Sequence, residues 1–392
     1  MRELASERSP TPLSSCGGHE ADMIPVCEPF FDGNEKKYVQ DCLDTNWVSS
    51  LGKYVVRFEE AFSHYCGARH GIACSNGTGA LHLGLVALGI GDGDEVIIPD
   101  FTLIVSPNVV ILAGARPVLV DVDPQTWCID PTKLEEKITP RTKAIMAVHM
   151  YGHPCDMTAI IKIARRRNLY VIEDCALAHG AEVNGHKVGT FGDVAGFSFY
   201  GNKIVTTGEG GMVLCNDDKL SERLRLLQDQ GFEEPRFVHR VMGFNYRLTN
   251  IQAAIGLAQT EKVKEKVARK REIARMYNEL LQGQPDMTLP WEAPWARNVY
   301  GMYGVLIGNA FGMNRDEVIR KLGEKGIETR AFFYPMHRQP VYQGNDHRFP
   351  DTSGSYPVSD DLARRGLYLP SGLGLRTTQI QEVVSKLLEC RR

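Results

Sequence analysis

Between His70 and Ile172 five short apolar runs alternate with four helical stretches, and this alternation limits the fold more than any other feature of the chain. The runs are His70–Cys74, Glu95–Ile98, Pro117–Val120, Ala144–Val148 and Leu169–Ile172. Thr78–Leu88, Ser106–Ala113, Asp130–Lys137 and Asp156–Arg167 read as the helices between them. Runs that are apolar on both faces are strands covered on both sides. Their alternation with helices predicts an α/β fold with a mostly parallel sheet between two helical layers. No repeat with a period of roughly 20–50 residues is present.

The 392 residues suffice for two domains. The texture changes after Val241: Thr249–Leu281 has no proline, a single glycine (Gly256), and many Ala, Lys, Glu and Arg residues, which predicts one long helix. Pro285, Pro290 and Pro294 then mark a linker, and a smaller α+β unit follows. The expected layout is a disordered extension over 1–22, rich in Ser, Pro and Gly, and a large α/β domain over 23–260. The long helix and a small C-terminal domain occupy 261–392.

Charge and cysteine usage narrow the function classes. Forty-five Lys and Arg against 48 Asp and Glu leave a formal charge of -3, which argues against a nucleic-acid partner. No apolar run reaches the roughly 18 residues that span a bilayer, and residues 1–22 lack the apolar centre of a signal peptide. Ten scattered cysteines without a C-x-x-C pair fit the reduced thiols of a cytoplasmic protein better than a disulfide framework or zinc site. His149, Tyr151, His153 and Cys155 would share one side of a strand and invite a metal reading, but Pro154 and Asp156 read as a strand end and a helix cap. No metal is expected.

Three segments carry candidate chemistry. Lys203 follows the apolar stretch Gly196-Phe-Ser-Phe-Tyr-Gly-Asn and precedes Thr-Thr-Gly-Glu-Gly-Gly, so glycines crowd both sides of it. Such a lysine is suited to a Schiff base if its surroundings lower its pKa, and a solvated loop lysine is the alternative. Asp174 ends Tyr170-Val-Ile-Glu-Asp, at the carboxyl edge where ligands of open α/β sheets gather. A carboxylate there can hold a pyridine nitrogen protonated, or simply cap a helix. Ser75-Asn-Gly-Thr-Gly-Ala opens a helix and offers free N–H groups to a phosphate, without forming a Walker A loop or a G-x-G-x-x-G fingerprint.

Together SFYGNK…TTGEGG, IEDCALAHG, SNGTGALHL, HMYGHPCDM and GFNYRLTNIQAAIG resemble the DegT/DnrJ/EryC1/StrS sugar aminotransferases, in the family's order and from about Ile24 to near the C-terminus. The resemblance implies a pyridoxal-phosphate enzyme of fold type I, the aspartate aminotransferase-like fold, taking its amino group from L-glutamate. NWVSSLGKYV, GDVAGFSFYGNK and TRAFFYPMHRQPVY are most similar to the members that aminate C4 of GDP-4-keto-6-deoxy-D-mannose; a UDP- or dTDP-linked 4-keto-6-deoxy sugar is the runner-up. Lys203 is then the catalytic lysine, and Asp174 the partner of the pyridine nitrogen. Gly77, Thr78 and Ser198 hold the phosphate. Asn245 reaches the phosphate of the other subunit, which implies a homodimer with shared active sites. Ser50, Arg330, Tyr334 and His337 are implied sugar-nucleotide contacts.

Two positions depart from the family's pattern. Leu103 stands where an aromatic residue usually stacks on the pyridine ring, and Leu177 where His, Gln or Glu is usual. Weaker cofactor retention or a different sugar is the expected consequence, with Phe101 as a possible substitute for the stacking residue. Lys203 argues against a sugar dehydratase, which has His at that position. The lack of any cysteine between Cys215 and Cys390 argues against a cysteine desulfurase. A regulator would bring a DNA-binding module, for which a 22-residue extension is too short.

Overall fold

The computed structural model describes residues 23–391, so the extension expected over 1–22 lies outside the described residues. In chain order the first part comprises α1 (Glu35–Asp44), α2 (Lys53–Cys66), β1 (His70–Cys74), α3 (Gly77–Ala87), β2 (Glu95–Pro99), α4 (Val105–Leu112), β3 (Arg116–Val120), β4 (Thr142–Val148), α5 (Met157–Arg167) and β5 (Tyr170–Asp174). The short pair β6 (Glu182–Val183) and β7 (His186–Lys187) precedes β8 (Val194–Ser198), β9 (Gly211–Cys215) and α6 (Asp218–Gln228). Strand order in the large sheet is β1-β9-β8-β5-β4-β2-β3. Only β9 runs against its neighbours; the other pairings are parallel. All five apolar runs are strands of this sheet, which is what buried β-branched runs between helical layers dictate.

The remaining elements are α7 (Asn250–Glu261), α8 (Val263–Leu281), β10 (Met287–Thr288), β11 (Ala296–Arg297), β12 (Tyr303–Ile307), α9 (Arg315–Glu324), β13 (Arg330–Ala331), α10 (Pro357–Arg365), β14 (Gly366–Leu369) and α11 (Thr377–Leu388). Strands β10-β12-β14-β13 form a second, antiparallel sheet, while β11 returns to pair with β6. The N-terminal segment reaches this second unit too, because Ile24 bridges to Ile327.

Two helix expectations are corrected. Thr249–Leu281 is two helices, broken at Lys262 (φ −112°, ψ 12°). The first, α7, packs against α1 and α2, and its Gly256 lies on Phe58, where a Cβ would come within 2.7 Å of the ring. The second, α8, sends Ile273, Ala274 and Tyr277 into the separate core beneath the small sheet. Val263 and Val267 at the start of α8 still belong to the first core with Ala253, Ala254 and Leu257 of α7, so the change of direction at Lys262 lets α8 run from one core into the other. Asp130–Lys137 is not a helix but two single 3₁₀ turns, Pro131–Lys133 and Glu135–Lys137. Leu134 is the only buried apolar side chain there, and one anchor does not make a helical stripe.

The helix side of the large core is aromatic. Phe58, Phe62, Phe197 and Phe199 meet at ring separations of 5.0–6.1 Å, mostly edge-to-face. Each such burial contributes about 1.5–3 kcal/mol. This rigid floor lies directly under β8, the strand that leads to Lys203.

Candidate active site

A cavity of about 360 Å³ opens where the carboxyl ends of β4, β5 and β8 meet the N-terminus of α3. The short strands and tight turns of the sequence dictate which side chains reach it. Asn76 caps α3, its Oδ1 accepting the Gly79 N–H at 2.7 Å, so Gly77 and Thr78 form the first turn with free N–H groups facing the cavity. No side chain fits at Gly77, where a Cβ would lie 2.7 Å from that of Ser198. Gly211 likewise has no room for a Cβ, which would press into the carbonyl of Asn76. Two backbones and a serine thus approach one another around a cradle of N–H groups.

Lys203 is delivered by a folded-back loop. Beyond β8, Phe199 donates its N–H to the Gly210 carbonyl (2.8 Å) and accepts from Thr207 N–H (2.8 Å), while Lys203 N–H closes a turn on Tyr200 (2.9 Å). Gly208, at φ +81°, makes the reversal possible. Burial lowers the Lys203 ammonium from 10.5 to about 8, and the carboxylate of Asp174 opposes that shift. Asp174 responds in the other sense: burial raises its carboxyl, while the Ala176 N–H (3.1 Å), Lys203 and His149 pull it down. The bond from Ala176 is its only side-chain hydrogen bond among the described residues, so the carboxylate retains accepting capacity toward the cavity.

A buried carboxylate with spare capacity, an amine of lowered basicity and an N–H cradle fit pyridoxal phosphate: nitrogen, aldehyde and phosphate each have a complementary group. Gly77, Thr78, Leu103, Asp174, Leu177, Ser198, Lys203 and Arg330 all line the one cavity. Ser50, Tyr334, His337 and Asn245 do not. Asn245 is exposed, and its Oδ1 accepts from Arg247 (3.0 and 3.2 Å). Tyr334 is more than half exposed outside the cavity. His337 is turned toward Asp100 and Asp360. Phe101 is no substitute for an aromatic at 103: it is fully buried against Tyr151, Phe332 and Phe333 and does not reach the cavity.

Tyr200, Asn202, Glu209 and Phe333 also line the cavity, although no sequence argument singled them out as site residues, and so does Tyr151, which was weighed only as part of a metal cluster. Three of them flank Lys203 in SFYGNK and TTGEGG, and that proximity was the available signal. Tyr151 itself takes a left-handed conformation (φ 51°) in a 3₁₀ turn, which no local pattern announces.

That turn also corrects the one-sided strand expected for His149, Tyr151, His153 and Cys155: β4 stops at Val148. His149 Nδ1 accepts the Cys155 N–H (3.0 Å) and its Nε2 donates to Glu173 (3.1 Å). His153 donates from Nδ1 to the Pro154 carbonyl (2.8 Å) and accepts the Ala293 N–H at Nε2 (3.1 Å). Glu173, His149 and Cys175 lie close enough to hold an ion. However, the N–H groups of Gly189, Phe191 and Gly192 already occupy the Glu173 carboxylate at 2.8–2.9 Å, so this is a structural node.

Residues 30–388 match the model of the DegT/DnrJ/EryC1/StrS aminotransferase family. The chain belongs to that family. A GDP-perosamine synthase of Caulobacter vibrioides is 50% identical over 366 residues, which is 93% of this chain and 97% of the relative. A GDP-perosamine synthase of Escherichia coli O157:H7 is 45% identical over 93% of this chain and 98% of its own. Among solved structures, DesI in the presence of its TDP-sugar product superposes with a TM-score of 0.87 at 31% identity, covering 94% of this chain and 93% of that one. Family membership makes the chain a pyridoxal-phosphate aminotransferase of fold type I, as its motifs imply. Among the described residues no helix is long and apolar enough to cross a membrane.

Proposed function

We propose that this aminotransferase is a GDP-perosamine synthase, moving the amino group of L-glutamate to C4 of GDP-4-keto-6-deoxy-D-mannose to give GDP-perosamine and 2-oxoglutarate. Identity of 50% across nearly the whole of a GDP-perosamine synthase carries the reading. Pyridoxal phosphate, when bound, supplies an electron sink for the pair left when a C–H bond next to nitrogen breaks. The chain supplies the rest. Lys203 Nζ, of lowered basicity, takes the proton from the amino donor and returns it later. Asp174 would pair with the ring nitrogen and favour its protonated form. Gly77, Thr78 and Ser198 would hold the phosphate, and Leu103 and Leu177 would offer the ring apolar contact. Arg330, in the cavity lining and paired with Glu328 (2.9 Å), would offer a cationic group to the sugar nucleotide.

In this reading the enzyme is a cytoplasmic homodimer whose product is an amino-sugar donor for polysaccharide assembly, O-antigen included. Exposed apolar side chains support the dimer: Trp47 and Leu51 flank Ser50, while Phe237 and Met242 (89% exposed) precede Asn245. A second copy covering these loops would bring Asn245 and Ser50 to the partner's cavity, which neither residue reaches in its own chain.

The DesI likeness, with its TDP-sugar, favours as second reading a UDP- or dTDP-linked 4-keto-6-deoxy sugar. Mass spectrometry of reactions containing L-glutamate and each nucleotide sugar decides between them. Product from GDP-4-keto-6-deoxymannose alone is expected; product from the UDP or dTDP substrates alone overturns the sugar assignment.

A further inference from the structure

The two walls of the active-site cavity come from distant parts of the chain, and one buried carboxylate joins them. Asp100 follows β2, is fully buried, and is held at its own backbone by the Val120 carbonyl (2.7 Å). It receives three hydrogen bonds from the segment after β13. Met336 N–H donates to its carbonyl (3.0 Å), His337 N–H to Oδ1 (2.7 Å), and His337 Nδ1–H to Oδ2 (2.8 Å). The far side of the imidazole is held as well. Nε2 lies 3.3 Å from Asp360 on α10, the ring stacks on Tyr356 at 4.8 Å, and Arg338 pairs with the same Asp360.

On one side of this clamp, Phe101 leads to Thr102 and Leu103 in the cavity wall. On the other, Arg330 and Phe333 also line the cavity, a few residues before His337. Phe101 fills the gap between them, its ring 5.8 Å from Phe332 and 6.2 Å from Phe333. Truncating His337 leaves its backbone N–H on Oδ1 but strips Oδ2 of the buried carboxylate of its donor, and satisfying that oxygen shifts the two segments relative to each other.

We propose that His337 is a positioning residue of the sugar site, which through Asp100 sets the separation between the Thr102–Leu103 wall and the Arg330–Phe333 wall. It touches neither substrate nor cofactor. Its effect falls on binding of the nucleotide sugar, the reactant large enough to span both walls. The inference rests on the sugar-aminotransferase reading above.

Steady-state kinetics of purified holoenzyme with GDP-4-keto-6-deoxymannose test it. His337→Ala raises KM for the sugar roughly tenfold while kcat changes about twofold or less, the pattern of lost binding rather than lost chemistry. His337→Asn, whose amide places a donor near the position of Nδ1, restores most of that KM. Ser359→Ala, which weakens a different contact between the same two units, lowers the melting temperature and leaves KM unchanged. A His337→Ala enzyme with lowered melting temperature but wild-type KM overturns the proposal, as does a fall in kcat matching that in kcat/KM. Failure of the Asn variant to recover KM overturns it too, and that variant carries the test if the Ala variant does not fold. Wild-type enzyme inactive on every nucleotide-linked ketosugar refutes the underlying reading instead, so the two failures are distinguishable.

Discussion

Asp121 Oδ1 accepts both the N–H (3.0 Å) and the Oγ–H (2.8 Å) of Ser359, 238 residues further on, while its Oδ2 accepts the Val358 N–H (3.1 Å). A carboxylate just past the end of β3 therefore caps α10, a helix beside the other sheet. Caps contribute about 0.5–2 kcal/mol, and an orphaned buried donor costs about 1–3 kcal/mol. Asp121→Ala is expected to destabilise the protein by about 2 kcal/mol in urea unfolding, and Asp121→Asn by clearly less, since the amide oxygen still accepts. Equal losses in the two variants would show that charge rather than capping matters here.

Lys203 must be unprotonated to capture an aldehyde, and burial brings its ammonium down to about 8. The rate at which apo protein takes up pyridoxal phosphate is therefore expected to rise with pH and level off a little above 8. An ordinary lysine would still be rising near 10. Stopped-flow absorbance follows the uptake. Lys203→Ala should keep the fold by circular dichroism yet lose turnover and borohydride-trappable cofactor; turnover near the wild-type rate would remove Lys203 from its catalytic role.

The strands of the large sheet and the place of Asp174 at its edge were legible in the sequence for one reason. Each apolar run is local, and the polar residue that ends it must emerge at the sheet's carboxyl edge. Lys203, five residues beyond β8, was marked only by the glycines around it. What could not be read depends on distant partners. The break at Lys262 has no local cause in a stretch of good helix formers; beyond it α8 leaves the core it shares with α7 at Val263 and Val267 and enters the second core at Ile273. His337 reads as a substrate contact from its motif, but its partner Asp100 is 237 residues away. Tyr334 and Ser50 do not line the cavity, which their motifs alone do not reveal.

Lys270 gives a stability signature that can be separated from catalysis. Its ammonium is buried on α8, donating to the carbonyl (2.7 Å) and Oγ (3.0 Å) of Ser371, and burial lowers it from 10.5 to about 8. Between those values the unfolded chain holds a proton that the folded chain has released, so this lysine makes stability rise with pH across the window. Below about 8 both states are protonated and the burial penalty is present in full. Lys270→Met carries no such penalty. Wild type is expected to gain on the variant by on the order of 3 kcal/mol between pH 7.5 and 10.5 in parallel urea titrations. A gap that stays constant with pH would mean that the ammonium is solvated in the native protein.

Leu103 bears on how firmly the cofactor is kept. Its side chain is about half exposed at the cavity, which the partly buried Leu177 also lines. The fully buried Phe101 is committed to the aromatic cluster between the walls and cannot swing in to replace it. An aliphatic side chain offers a ring dispersion contact alone, whereas an offset aromatic pair adds about 0.5–1.5 kcal/mol. Leu103→Tyr is therefore expected to slow pyridoxal-phosphate loss on dilution by about two- to tenfold. The half-exposed position gives the larger ring room to extend without overpacking. Leu103→Ala should act in the opposite direction. The fluorescence of released cofactor, followed after rapid gel filtration, measures both. If Tyr leaves the off-rate unchanged while Ala raises it, the leucine already makes all the contact the ring can use, and the apolar pair costs the enzyme nothing in retention.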